Sequence, residues 1–223
     1  MTFSQILYRI LIQGGSYWTI LKGLRATVEI SIFSLLLGTM LGAVVCAFRM
    51  SRVKILRFLA GAYIVLLRGS PVLMLLMLMY YGVFARSSLE AQTIAVITFS
   101  LNTAAHVAEL LRASISATDA GQVEAARTLG FSAWQAFRLV TLPQVVAIAK
   151  PVYQSTIINL IQWTSVVGYV SITDLTRVIN NISSRTMQPM ITIIIGMIIY
   201  LAMAYIVHAV FALSEWRSKH ESY

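Results

Sequence analysis

The chain has 223 residues, of which 58% are hydrophobic and 11% charged, and its formal net charge is +9. Soluble domains carry about 25% charged residues, so a water-facing surface cannot be coated here and a lipid-facing one is implied. The lone cysteine, Cys46, excludes an intrachain disulfide and a cysteine metal cluster, and the Lys and Arg lie between apolar runs, which points to topology-setting charge and away from nucleic acid.

No linker-like or low-complexity stretch divides residues 1–223, so one membrane domain is expected. At its start, Phe3, Ile6, Leu7, Ile10 and Leu11 share one helical face, and Gly14-Gly15 ends the pattern. Residues 1–16 are therefore expected to form an amphipathic helix in the membrane interface. Arg9 is the only charge in the first 21 residues and no small-residue cleavage site follows, so no secretory signal is expected.

Five stretches then lack Lys, Arg, Asp and Glu: residues 30–48, 69–85, 91–108, 151–173 and 186–214. A helix crosses a bilayer with roughly 20 apolar residues, and a medium without water forces each span to be helical. The expected fold class is an all-α integral membrane protein with about five transmembrane helices. Gly38 and Gly42 make a small-xxx-small pair suited to close helix contact. Residues 55–67 are also apolar and read either as an interfacial helix or as the start of a kinked span. Ser70 fits an N-cap and Pro71 the first helical position of the second run. His106, His208 and His220 show no metal-ligand spacing.

Five spans put the ends on opposite sides. Ten of the 17 basic residues share one side: Arg49, Arg52, Lys54, Arg57, Arg112, Arg127, Arg138, Lys150, Arg217 and Lys219. That side is expected to be cytoplasmic, with the N-terminus outside and the C-terminus inside.

Residues 113–147 are too long and too patterned for a simple turn. Gly130 suits the end of one short helix and Ser132 the start of a second, which is expected to run to about Val140 before Pro143 punctuates the next span. Trp134, Phe137 and Arg138 have the make-up of an interface anchor. Glu124-Ala125-Ala126, three residues, Gly130, nine residues, then Val140-Thr141-Leu142-Pro143 resembles the coupling loop of binding-protein-dependent ABC importers, whose pattern ends in Ile-x-Leu-Pro. Leu67-Arg68-Gly69-Ser70-Pro71, Tyr80-Tyr81-Gly82, Ser100-Leu101-Asn102 and Asp174-Leu175-Thr176-Arg177 are similar to the polar amino-acid permease branch, of the histidine/glutamine type.

That resemblance implies the type I importer permease fold in a prokaryotic cytoplasmic membrane. It also implies two cytoplasmic ATPase subunits, a second permease copy or paralogue and an extracytoplasmic solute-binding protein. No cofactor is expected on this chain; ATP and Mg belong to the ATPase, and no Gly-x-x-x-x-Gly-Lys-Ser/Thr loop occurs here. In the coupling loop Ala125, Ala126 and Gly130 are expected to fit a groove on the ATPase, with Glu124 as a charged anchor and Leu142-Pro143 closing the motif. A large residue at Ala126 is expected to uncouple transport without unfolding. The branch usually has Lys-Asp-Thr-Ser in its fourth span, where this chain has Gln162-Trp163-Thr164-Ser165, which disfavours a cationic solute.

Arg68, Asn102, Glu109, Asn159, Gln162, Thr164 and Ser165 are the candidates for the solute path, because polar groups within spans face protein or water. Asn102, Thr164 and Ser165 equally suit interhelical hydrogen bonds. Glu109 with Arg112 equally suits an i,i+3 pair at the membrane edge, and Arg68 either attracts a carboxylate or sits at the interface. A stand-alone secondary carrier or channel is the alternative; it would show internal repeats, and none is visible.

Overall fold

The computed structural model describes residues 8–220, and among them every regular element is helical. In chain order these are α1 (Ser16–Arg49), α2 (Lys54–Gly69), α3 (Val72–Leu78), α4 (Ala91–Ser116), α5 (Ala120–Thr128), α6 (Ala133–Ala136), α7 (Leu142–Trp163), α8 (Leu175–Thr186) and α9 (Pro189–His220). Helix α1, helix α4 and the Pro189–Ser214 part of α9 are each long and apolar enough to cross a membrane. The broken pair Lys54–Gly69 and Val72–Val83 makes a fourth if it counts as one span.

The sequence-based boundaries shift in three places. Residues 55–67 are the body of helix α2. Ser70 is not the N-cap of α3: it is extended (φ −92, ψ 137), as a residue before proline must be, and its Oγ donates back to the Leu66 carbonyl at 2.7 Å. It therefore closes α2, and Pro71 takes the cap position of α3. The run at 151–173 is divided. Helix α7 starts upstream at Leu142, contains Pro151 and stops at Trp163, where the backbone tightens into the 3₁₀ turn Thr164–Val170. Thr164 Oγ1 donates to the Ile161 carbonyl at 2.6 Å, competing for an acceptor that the α-ladder would otherwise use.

The chain forms two compact units. The first comprises residues up to Leu36, Pro71–Phe99 and the chain from Ile157 onward; the second comprises Leu37–Ser70 and Ser100–Thr156. In the first, Ile30, Leu76, Phe99, Leu160, Val167 and Val170 form a buried cluster. A second cluster joins Ile10 and Ile20 to Leu175, Val178, Ile179 and Ile182 of α8. The stretch around Asp174–Arg177 is the start of the amphipathic helix α8. Asp174 caps it, accepting the Thr176 and Arg177 N–H groups at 2.9 and 3.0 Å. Burial pushes the Asp174 carboxyl above its ordinary pKa, and the two backbone bonds pull against that shift. Thr27 Oγ1 accepts the Leu175 N–H at 3.2 Å. Of the expected N-terminal amphipathic face, Ile10 packs into the second cluster, while Phe3, Ile6 and Leu7 lie outside the described residues. Met190, Leu201 and Tyr205 on α9 are exposed, as side chains facing lipid are.

In the second unit, α1 and α4 meet backbone to backbone. A Cβ at Gly42 would lie 2.7 Å from Val107 Cβ and 3.0 Å from the Ala104 carbonyl oxygen, and one at Gly38 would lie 2.7 Å from Thr103 Cβ. Tyr63 donates its hydroxyl to the Leu101 carbonyl at 2.7 Å, and Cys46 is buried with Ile64 and Ala108. Gly42→Leu must therefore push the two helices apart, at a cost of about 1–3 kcal/mol. We expect a clear drop in the thermal unfolding midpoint of the detergent-solubilised protein, and none for Leu41→Ala on the exposed face of α1.

Candidate functional site

The segment between α4 and α7 lies wholly within the second unit. Asp119 opens α5 by accepting the Gly121 N–H at 2.9 Å. The helix ends as the sequence suggests. Gly130 adopts φ +92, Phe131 N–H reaches back to the Ala126 carbonyl, and Gly130 N–H reaches the Arg127 carbonyl, both at 3.1 Å. This is a Schellman closure, and it needs a residue without a Cβ penalty at that φ. Arg127 adds a bond to the Phe131 carbonyl at 2.8 Å. Ser132 and Gln135 then form a reciprocal capping box at the start of α6.

The second short helix does not end near Val140, and Pro143 does not punctuate it. Helix α6 widens into a π turn at Phe137–Thr141 and continues directly into α7. The Leu142 N–H reaches back to the Phe137 carbonyl. Proline has no N–H to offer, and its ring crowds the carbonyl of the preceding turn. A wider turn just ahead of Pro143 relieves that crowding without breaking the rod. Gln144 then ties this turn to the rest of the loop. Its amide nitrogen donates to the Val140 carbonyl and to Gln122 Oε1, both at 3.0 Å, and its Oε1 accepts the Asp119 N–H at 3.4 Å. One side chain thereby fastens the start of α5 to the start of α7. Sequence reasoning missed it, because a glutamine after proline carries no signal of its own.

On this scaffold Glu124, Ala125, Gly130, Arg138, Leu142 and Pro143 are exposed. Trp134 is 67% exposed and stacks on the half-buried Phe137 with ring centroids 5.8 Å apart. Ala126 differs from the expectation: it is only 6% exposed and turned inward. Bulk at Ala126 would displace the loop's own packing, so the small residue open to an outside surface is Ala125.

The polar residues of the spans fall into two groups. In the second unit, Asn102 is buried and donates to the Leu67 carbonyl at 2.9 Å, while its Oδ1 has no partner among the described residues. An orphaned buried acceptor costs about 1–3 kcal/mol unless a water or another donor fills it. Arg68 follows Leu67 and is exposed. Glu109 holds Arg112 at 3.0 and 2.5 Å, the i,i+3 pairing. In the first unit, Asn159 and Gln162 are exposed on α7, and Thr164 is buried. Ser165 lines a cavity of about 530 Å³ together with Gly168, Tyr169, Arg177 and Asn180. The Arg177 guanidinium, not foreseen in this role, donates to the Gly168 carbonyl at 2.6 Å.

The sequence profile of the family described as "binding-protein-dependent transport system inner membrane component" matches residues 34–219. The chain is 36% identical over 192 residues to YckA of Bacillus subtilis strain 168, a probable amino-acid ABC transporter permease, covering 86% of this chain and 85% of that one. It is 30% identical over 212 residues to NocM of Agrobacterium fabrum, a nopaline transport system permease, covering 90% and 88%. Among solved structures, the crystal structure of an amino acid ABC transporter with histidines superimposes with a TM-score of 0.84 at 31% identity, covering 93% of this chain and 98% of that one.

Removing the Gln144 clasp should loosen the loop and leave the helices around it intact. For Gln144→Ala we expect a loss of about 1 kcal/mol confined to the segment. Amide hydrogen exchange checks this: protection falls at residues 119–124 and stays unchanged at residues 94–108.

Proposed function

The chain belongs to the inner membrane components of binding-protein-dependent transport systems, the permease subunits of bacterial ABC importers, and from that premise we propose that it translocates a polar amino acid or a related small solute. In this family the ATPase is a separate chain. The partners are two ATPase subunits that bind ATP and Mg, an extracytoplasmic binding protein that delivers the solute, and a second permease, identical or paralogous. The residues form one permease domain. Its five spans count the α2–α3 pair as one and α7 as the fourth, with residues 1–16 at the interface, the N-terminus outside and the C-terminus cytoplasmic. The distribution of ten basic residues supports that orientation.

The single observation that carries the coupling role is the built geometry of residues 119–144. Every turn in it is closed by a specific bond, yet it presents Glu124, Ala125, Gly130, Trp134 and Arg138 outward. A loop that merely connected two spans needs no exposed tryptophan stacked on a half-buried phenylalanine. The Trp134–Phe137 pair and Arg138 form the anchor, Glu124 supplies a charge-assisted bond, and Leu142-Pro143 mark where the loop becomes the span. Closure of the ATPases on ATP pushes α5 and α6, and the unbroken passage from α6 through the π turn carries the displacement into α7.

The solute path runs past Arg68, Asn102, Glu109, Asn159, Gln162, Thr164 and Ser165. The unpartnered Oδ1 of Asn102 is its best-supported polar point. With Gln162-Trp163 where the branch has a charged pair, the fourth span offers no carboxylate to a cationic side chain, and a neutral solute is favoured.

Proteoliposomes holding the permease, its ATPase and its binding protein test the reading. Wild type should take up a neutral polar amino acid only with ATP present. Ala125→Trp should keep its unfolding midpoint and lose about tenfold in uptake while ATP hydrolysis continues, a loss within the usual range of coupling energies. Uptake by the permease alone, without ATP, would replace this reading with that of a secondary carrier.

A further inference from the structure

A cavity of about 220 Å³ in the first unit is lined by none of the loop residues or polar path residues. Lys22 of α1 and Arg185 of α8 both line it. Among the described residues neither forms an ion pair; the cationic partners of the two bridges are Arg25 and Arg112. Arg185 spends one guanidinium nitrogen on the Gly14 carbonyl and on Ser16 Oγ, at 3.2 and 2.7 Å. Those contacts fix its position without cancelling its charge. Asn181 and Thr173 add an amide and a hydroxyl to the wall. Thr19 offers only lone pairs, since its hydroxyl donates to the Ser16 carbonyl at 2.8 Å. The neighbouring carboxylate, Asp174, is buried with its oxygens committed to the first turn of α8. Two uncompensated cations beside neutral donors call for an anion.

The rest of the wall says which anion. Val178 and Ile182 are apolar, and one turn before Lys22 the rings of Tyr17 and Trp18 lie 5.4 Å apart, with Trp18 61% exposed. An exposed Trp–Tyr pair beside a snorkelling lysine is the pattern of a membrane interface. A phosphodiester fits the cations, and the glycerol and acyl start behind it fit the apolar wall, which a free phosphate would leave bare. We propose that this cavity is a binding site for the headgroup of an anionic phospholipid, held by Lys22 and Arg185 with Asn181 and Thr173 in support.

Native mass spectrometry of the purified permease–ATPase complex tests this, with phosphatidylglycerol and phosphatidylcholine as probes and with inorganic phosphate as the free-anion arm. Wild type should retain phosphatidylglycerol in preference to phosphatidylcholine. Lys22→Gln, which removes a side chain that forms no hydrogen bond or ion pair among the described residues, should lower that retention about fivefold, the scale of one basic residue at an anionic surface. Arg185→Gln should lower it as well, and Lys22→Gln remains decisive if Arg185→Gln fails to fold. Equal retention of both lipids by wild type, or unchanged phosphatidylglycerol retention in Lys22→Gln, overturns the proposal. So does thermal stabilisation by inorganic phosphate equal to that by phosphatidylglycerol, which makes the ligand a free anion. Loss of binding-protein capture in Lys22→Gln with lipid retention intact also overturns it, making the cavity a protein-docking face. Because the readout is lipid retention, its failure leaves the coupling and solute assignments standing.

Discussion

A backbone group left unpaired in hydrocarbon costs several kcal/mol, and no water is there to relieve it. Within a helix the ladder meets that demand automatically, so the problem concentrates at helix ends and at prolines. The chain solves it there with individual side chains. Ser70 closes α2 by donating to Leu66, Asp174 and Thr27 together satisfy the first N–H groups of α8, and Gln144 adds a side-chain bond to the Val140 carbonyl beside Pro143. Each device also sets a direction. The bond from Leu175 to Thr27 fixes where α8 leaves the 3₁₀ turn, and the bonds of Gln144 fix how α5 lies against the start of α7. Capping and positioning are here the same act.

The functional consequence is clearest along α7. That helix begins in the Leu142-Pro143 end of the loop motif and carries Asn159 and Gln162 near its other end. Helix α6 runs into it without a break, and the π turn gives passage past a proline that would otherwise act as a joint. Under the proposed reading, force applied at Trp134 and solute contact at Gln162 involve one continuous element.

Much of this was legible in the sequence, for physical reasons. The charge-free runs marked α1, α4 and α9 because lipid leaves no other composition available. The Gly130 closure and the Ser132 cap were legible because few residues suit those backbone positions, and Gly38 and Gly42 because only small residues allow so close a helix contact. What was not legible depends on partners distant in sequence. Ser70 resembles an N-cap until its hydroxyl is seen to point back at Leu66. Ala125 and Ala126 look alike in a motif, yet one faces out and the other in. Gln144 acquires a role only through Asp119 and Gln122, more than twenty residues earlier. The path candidates were chosen for polarity alone, and they come from both units.

Under the proposed reading, residues 119–144 form the seat of an ATPase. Co-purification of the candidate ATPase with wild type and with Gly130→Asp tests it most directly, because the substitution strains a backbone at φ +92 and leaves the spans untouched. Wild type should retain the ATPase, and the variant, still folded in detergent, should lose it. Equal retention by the two proteins would rule out the loop as the seat, as would a wild type that captures no ATPase while moving solute on its own.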